Sequence, residues 1–166
     1  MNQNSSAILS LIVGAIIIIL VSWATYFIGG KMSIYILDAA QRAGEQVPEH
    51  QVWVKNYFYL VRYMGIAVGM VLMLWTALTH WGLRSENPNN QGKLWLWLLF
   101  GCLIAVMCVV SPIIFSYVYP DYSLIVDYRI YLLFFVAYDI VGYWGGSIIV
   151  TSDKYKYTPL LSRFFR

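Results

Sequence analysis

The sequence predicts an all-α membrane protein: four transmembrane helices in an up-down-up-down bundle, with an amphipathic helix in the first loop. Three observations lead there. The 166 residues are 60% hydrophobic and only 11% charged, where an ordinary soluble domain carries about 25% charged residues. The charges cluster, leaving intervals from Met1 to Gly30, Tyr63 to Leu83, Leu94 to Pro120 and Ile130 to Ser152 in which Asp139 is the sole charged side chain. Each interval is long enough for a helix to cross the roughly 30 Å of bilayer hydrocarbon, which takes about 20 apolar residues. Four buried helices of a soluble protein would carry polar faces that these segments lack.

The first span is read at about residues 7–28. Its leading residues, MNQNSS, hold no basic group. Its apolar run also exceeds the roughly 7–15 residues of a signal-peptide core, so an uncleaved anchor is expected. Gly29-Gly30 then separates an amphipathic helix over about 32–47. There Met32, Ile36, Ala40, Ala43 and Val47 recur at helical spacing, with Asp38, Gln41, Arg42, Glu45 and Gln46 opposite. Asp38 and Arg42 form an i,i+4 pair, and Pro48 ends the segment. Such a helix lies on a membrane surface or docks a protein partner.

The second span covers about 59–83 and carries Gly65-x-x-x-Gly69. A turn at Glu86-Asn87-Pro88-Asn89-Asn90 leads to the third span, about 94–118, where Pro112 is expected to kink the helix. Cys102 and Cys108 sit in this span, six residues apart and so unable to pair on one helix; both read as small buried hydrophobes. Pro120-Asp121 turns the chain into the fourth span, about 130–152, with Gly142-x-x-x-Gly146. Both glycine pairs are close-approach motifs for helix packing, internal or with a partner. A basic tail, 153–166, closes this single membrane domain.

Orientation follows from lysine and arginine near the helix ends. Lys154, Lys156, Arg163 and Arg166 in the tail join Arg84 and Lys93 on the side that holds both termini. Lys31, Arg42, Lys55, Arg62 and Arg129 fall opposite. The density of charge in the tail predicts cytoplasmic termini. Trp81, Trp95 and Trp97 on one side, and Tyr117, Tyr119, Tyr122, Tyr128 and Tyr131 on the other, are expected at headgroup level.

Few residues carry chemistry. Asp139, near the middle of the last span, costs about 2.5–3.5 kcal/mol to insert. It reads as an interhelical hydrogen-bonding group, bonded to a tyrosine hydroxyl or Thr76, as a partner contact, or as an ion-coupling carboxylate. Arg62, Asp127 and Arg129 form a candidate ion cluster at one interface, with snorkelling side chains. His50 and His80 fall on opposite sides, so no shared metal or bis-histidine haem is expected. No catalytic cluster, cofactor or metal site is read, and the tail is too sparsely charged for nucleic acid. Lys154, Lys156, Arg163 and Arg166 suit anionic lipid headgroups or a docking partner.

Two stretches, Ser111-Pro112 through Tyr119-Pro120 and Val150-Thr151-Ser152-Asp153-Lys154-Tyr155-Lys156-Tyr157, carry a resemblance. The chain resembles the small four-span inner-membrane proteins encoded with bacterial conjugation systems and integrating conjugative elements, associated with type IV secretion. It departs from them at the short loop, which they make richly basic and which here holds only Arg84 and Lys93. The resemblance implies a non-catalytic subunit or accessory factor of a multiprotein membrane machine for conjugation or secretion. Its partners would be membrane lipids and other membrane proteins. The alternatives are an immunity protein against a membrane-active toxin, or a small ion-coupled transporter subunit using Asp139.

Overall fold

In the computed structural model, residues 3–44, 50–83, 91–118 and 128–164 are described, and they contain helices and turns with no strand. Helix α1 runs Gln3–Arg42, α2 runs His50–Ala77 with a π-helical turn at Leu78–Gly82, and α3 runs Gln91–Val118. The fourth helix, α4, covers residues 128–150 and changes winding twice. It is α-helical over Tyr128–Phe134, π-helical over Phe135–Gly145, and α-helical again over Gly146–Val150.

Four segments are long and apolar enough to cross a membrane: Asn4–Arg42, Val54–Gly82, Lys93–Ile114 and Leu132–Val150. Over an 18-residue apolar stretch of each, half of the second and 44% of the fourth is buried within the chain, against 22% of the first and 28% of the third. The contacts explain the split. Both α1 and α3 pack on α2 and on α4, while α2 and α4 also meet each other. The inner pair is therefore α2 and α4, and the outer pair is α1 and α3. Outer residues such as Ile19 (66% exposed) and Leu99 (60%) present large apolar side chains outward, as a hydrocarbon solvent permits. The largest enclosed side chains are Trp75, Tyr57, Tyr138, Tyr143, Phe134 and Met64.

The separate amphipathic helix expected over 32–47 is not a separate element. Residues 32–42 continue α1 without a break through Gly29 and Gly30, giving one helix of 40 residues, about 60 Å long and twice the hydrocarbon thickness. Residues 45–47 lie outside the described ones. A single buried stripe (Thr25, Gly29, Ser33, Leu37) runs along the extension and unites it with the bundle. Asp38 and Arg42 also pair differently from expectation, since Arg42 Nε donates to the Asp38 backbone carbonyl at 3.0 Å. Pro112 sits inside α3, which continues to Val118.

The α1–α2 register is fixed at several points. Trp81 Nε1 donates to Asn4 Oδ1 at 3.3 Å near one end, and Tyr26 meets Phe58 edge-on at 5.8 Å near the other. Between them Gly65 faces Ser22 and Gly69 faces Ile18. Gly29 is the tightest point: a Cβ there would stand 1.5 Å from Tyr57 Oη and 2.3 Å from its Cζ. Tyr57 reaches over this gap to donate to the Thr25 carbonyl at 2.6 Å and stacks on Phe134 at 5.4 Å. A glycine read as a helix boundary is thus a helix interior opened for a neighbouring ring.

A substitution pair tests this reading. Gly29→Ala must expel the Tyr57 ring, and overpacking of this kind costs about 1–3 kcal/mol. Gly30→Ala meets nothing within 4 Å and should be neutral or stabilising by up to about 1 kcal/mol, from helix propensity alone. Unfolding in mixed micelles reads the difference. Equal behaviour of the two variants would restore Gly29-Gly30 as a hinge.

Candidate functional site

The middle of α4 is the candidate site, and it starts from an unusual backbone. A π-helix is rare and mostly a single turn, often at functional positions; here it lasts 11 residues. Its effect is on side-chain direction. Tyr138 and Tyr143, five residues apart, would point about 140° apart on a regular α-helix. The wider winding lets both be almost fully enclosed, at 0% and 1% exposed.

Each enclosed tyrosine then needs an acceptor. Tyr138 donates to the Val61 carbonyl of α2 at 2.9 Å, and its oxygen lies 3.2 Å from Ser22 Oγ of α1. Tyr143 donates to the Trp97 carbonyl of α3 at 2.7 Å and stacks on the Trp97 ring at 5.7 Å. Trp97 Nε1 returns a bond to Ser147 Oγ of α4 at 2.8 Å. One turn further along, Trp75 Nε1 of α2 donates to Thr151 Oγ1 at 2.8 Å. Thr151 in turn donates to the Ser147 carbonyl. Through these bonds α4 is tied to all three other helices at apolar depth.

Asp139 lies inside this network without joining it. It is half-buried, about 3 Å from the middle of Leu132–Val150, in the crevice where α4 meets α3. Its Oδ1 is 3.7 Å from where a Cβ on Gly101 would stand. Cys108 and Tyr143 are its electrostatic neighbours. The expected partners are committed elsewhere: Tyr138 and Tyr143 to carbonyls, and Thr76 Oγ1 to the Leu72 carbonyl at 2.8 Å. Among the described residues no donor reaches the Asp139 carboxylate. Chemically it can accept a hydrogen bond from another chain or carry a proton.

The other sequence-predicted residues separate. Gly65 and Gly69 face α1, Gly142 faces Val68 and Ile18, and Gly146 faces Leu72 and Ile17, so both motifs serve packing within the chain. Arg62 is exposed and lines a groove between α1 and α2. Asp127 and the side chain of Arg129 fall outside the described residues. Cys108 is buried as expected, whereas Cys102 is exposed on the outer helix α3. Trp97, expected at headgroup level, is instead 5% exposed and interior, while Trp95 is 69% exposed.

The basic tail is folded back on the bundle. Tyr155 Oη donates to the Leu83 carbonyl, and Trp144 Nε1 donates to the Leu160 carbonyl at 2.7 Å. Tyr155, Thr158 and Ser162 are buried. Lys154 points outward, and the Lys156 ammonium sits 5.0 Å over the Tyr157 ring. The Arg163 side chain and Arg166 are outside the described residues. Among the described residues no group of three histidine, cysteine or carboxylate side chains could hold a metal ion.

The fold and site define an all-helical bundle with four helices able to span a membrane and a mid-depth carboxylate that no donor among the described residues reaches. Compared with family models, characterised proteins and solved structures, the chain matches none.

Two substitutions separate the network from Asp139 in the isolated bundle. Tyr143→Phe removes a buried donor and should cost about 0.6 kcal/mol, at most about 2. Asp139→Leu removes no bond and ends a desolvation cost, so it should stabilise the lone chain by up to about 3 kcal/mol. Reversible unfolding of both variants in the same micelles decides. Destabilisation by Asp139→Leu would mean that the carboxylate is bonded within its own bundle.

Proposed function

We propose that this protein is a non-catalytic subunit or accessory factor of a multiprotein membrane machine, with bacterial conjugation or secretion the preferred setting. The observation that carries the reading is Asp139, a mid-depth carboxylate that no donor among the described residues reaches. A group that costs about 2.5–3.5 kcal/mol to insert and returns nothing to its own fold has its use between chains. The partner presents a hydrogen-bond donor or a cation at the α3–α4 crevice. In this reading both termini are cytoplasmic and the membrane is the bacterial inner membrane. The clustered basic residues of the tail support that sign. The resemblance at residues 111–120 and 150–157 supports the conjugation setting, and the lack of a basic short loop sets the docking surface apart from that family.

A second reading rests on the same residue. A carboxylate within a long π-helix is the form an ion-coupling group would take, which would make the chain a small transporter subunit.

The test separates docking from proton transfer. Asn keeps a carbonyl acceptor, so Asp139→Asn should co-purify with its partner in mild detergent and retain most activity. Asp139→Leu should lose part of the association, since one interhelical polar contact averages about 0.6 kcal/mol and seldom exceeds about 2. An Asn variant that assembles normally and is inactive would overturn the docking reading and establish the transporter one.

A further inference from the structure

The α1–α2 face carries a groove of about 640 Å³ that the bundle does not use. We propose that it holds one acyl chain of an anionic phospholipid, with the lipid phosphate at Arg62.

The groove is built for a thin apolar chain. Small residues Gly14, Ala15, Gly65 and Gly69 are among its lining, and the exposed Trp23 of α1 and Met70 of α2 line it as well. Two of the polar side chains in this slot, Ser22 and Thr76, are engaged within the fold. Ser22 Oγ lies 3.2 Å from Tyr138 Oη, and Thr76 Oγ1 donates to the Leu72 carbonyl. The slot therefore offers flexible hydrocarbon contacts along its length.

Its one cationic lining residue is Arg62, at a single end. The depth fits a headgroup. Trp81, an exposed ring near the opposite end of α2, is 19 positions away, about 28 Å along the helix and close to the roughly 30 Å hydrocarbon thickness. Arg62 is thus at the far interface when Trp81 is at the near one. From Arg62 the slot runs to Thr76, about 21 Å, which exceeds the roughly 15 Å of one leaflet. Arg62 is exposed, and a guanidinium matches a phosphate in bidentate fashion. A partner helix in the slot would have to carry an anion to that same interfacial point; a phospholipid carries one there already.

The experiment uses the full chain, delipidated in mild detergent and titrated with phosphatidylglycerol or phosphatidylcholine, with bound lipid counted by native mass spectrometry. The protein should retain one phosphatidylglycerol per chain with a preference of about fivefold, the equivalent of roughly 1 kcal/mol for one cation near a membrane surface. Arg62→Gln should bring the preference near unity, and Arg62→Lys should keep most of it. Ala15→Phe, made at an exposed position lining the slot, should abolish retention with helix content unchanged. Equal retention by the native chain, Arg62→Gln and Ala15→Phe would overturn the proposal. So would a native chain that binds neither lipid there, or one that is dimeric until Ala15→Phe makes it monomeric, since the slot would then be covered by a second copy.

Discussion

The structure depends on one constraint: a polar tip enclosed at apolar depth must be met by an acceptor within the protein. Tyr57, Trp75, Trp97, Tyr138 and Tyr143 all meet it by reaching across to another helix. Their rings fill the interior and their donors set the register. All five bonds involve α2 or α4, the inner pair, and the Tyr57 bond joins α2 to the far part of α1. Without the long π segment of α4, Tyr138 and Tyr143 could not both turn inward, and the bonds they make toward α1, α2 and α3 would be lost. The backbone irregularity and the aromatic network are one device.

That device also explains what is left over. The tyrosines next to Asp139 in sequence bond to carbonyls and so are closed to its carboxylate. Gly101 brings α3 close enough to shelter the carboxylate on one side, yet no donor comes with it. Among the described residues the bundle satisfies its enclosed aromatic donors and leaves the Asp139 carboxylate without one, which is the observation the proposed docking role rests on. The α1–α2 slot differs in kind. It is apolar, with charge only at its mouth, and suits a lipid where the α3–α4 crevice suits a polar contact.

Much of the architecture was legible in the sequence because hydropathy over about 20 residues is a strong signal. Four long apolar segments and the mid-span position of Asp139 could be read from the pattern of hydropathy and charge, whereas the first was read to end near residue 28 and its helix runs to Arg42. The glycine pairs at 65/69 and 142/146 could be placed on packing faces by spacing. Gly29-Gly30 misled because a glycine admitting a neighbouring ring and a glycine ending a helix are identical in sequence; only the position of Tyr57 distinguishes them. Of the three readings of Asp139, the pairing with a tyrosine or Thr76 fails for Tyr138, Tyr143 and Thr76, because their hydroxyls are bonded to carbonyls. Trp97 was assigned to the headgroup level from its place near a loop, and its indole instead points inward to Ser147. The signal that could have revealed the network was present: tyrosines and tryptophans inside spans, and not only at their ends, require interhelical acceptors. The π winding had no sequence signal beyond the glycines at its far end.

The central claim is that the crevice holding Asp139 is covered by another polypeptide in the membrane. The most direct measurement places a photoactivatable side chain at Ala105, one turn along α3 from Gly101 and half-buried beside the crevice, and irradiates intact membranes. The account predicts a discrete cross-linked product containing a second polypeptide, formed at Ala105 and not at Leu99 on the exposed face of the same helix. Lipid adducts alone at both positions, in membranes where the protein is active, would contradict it.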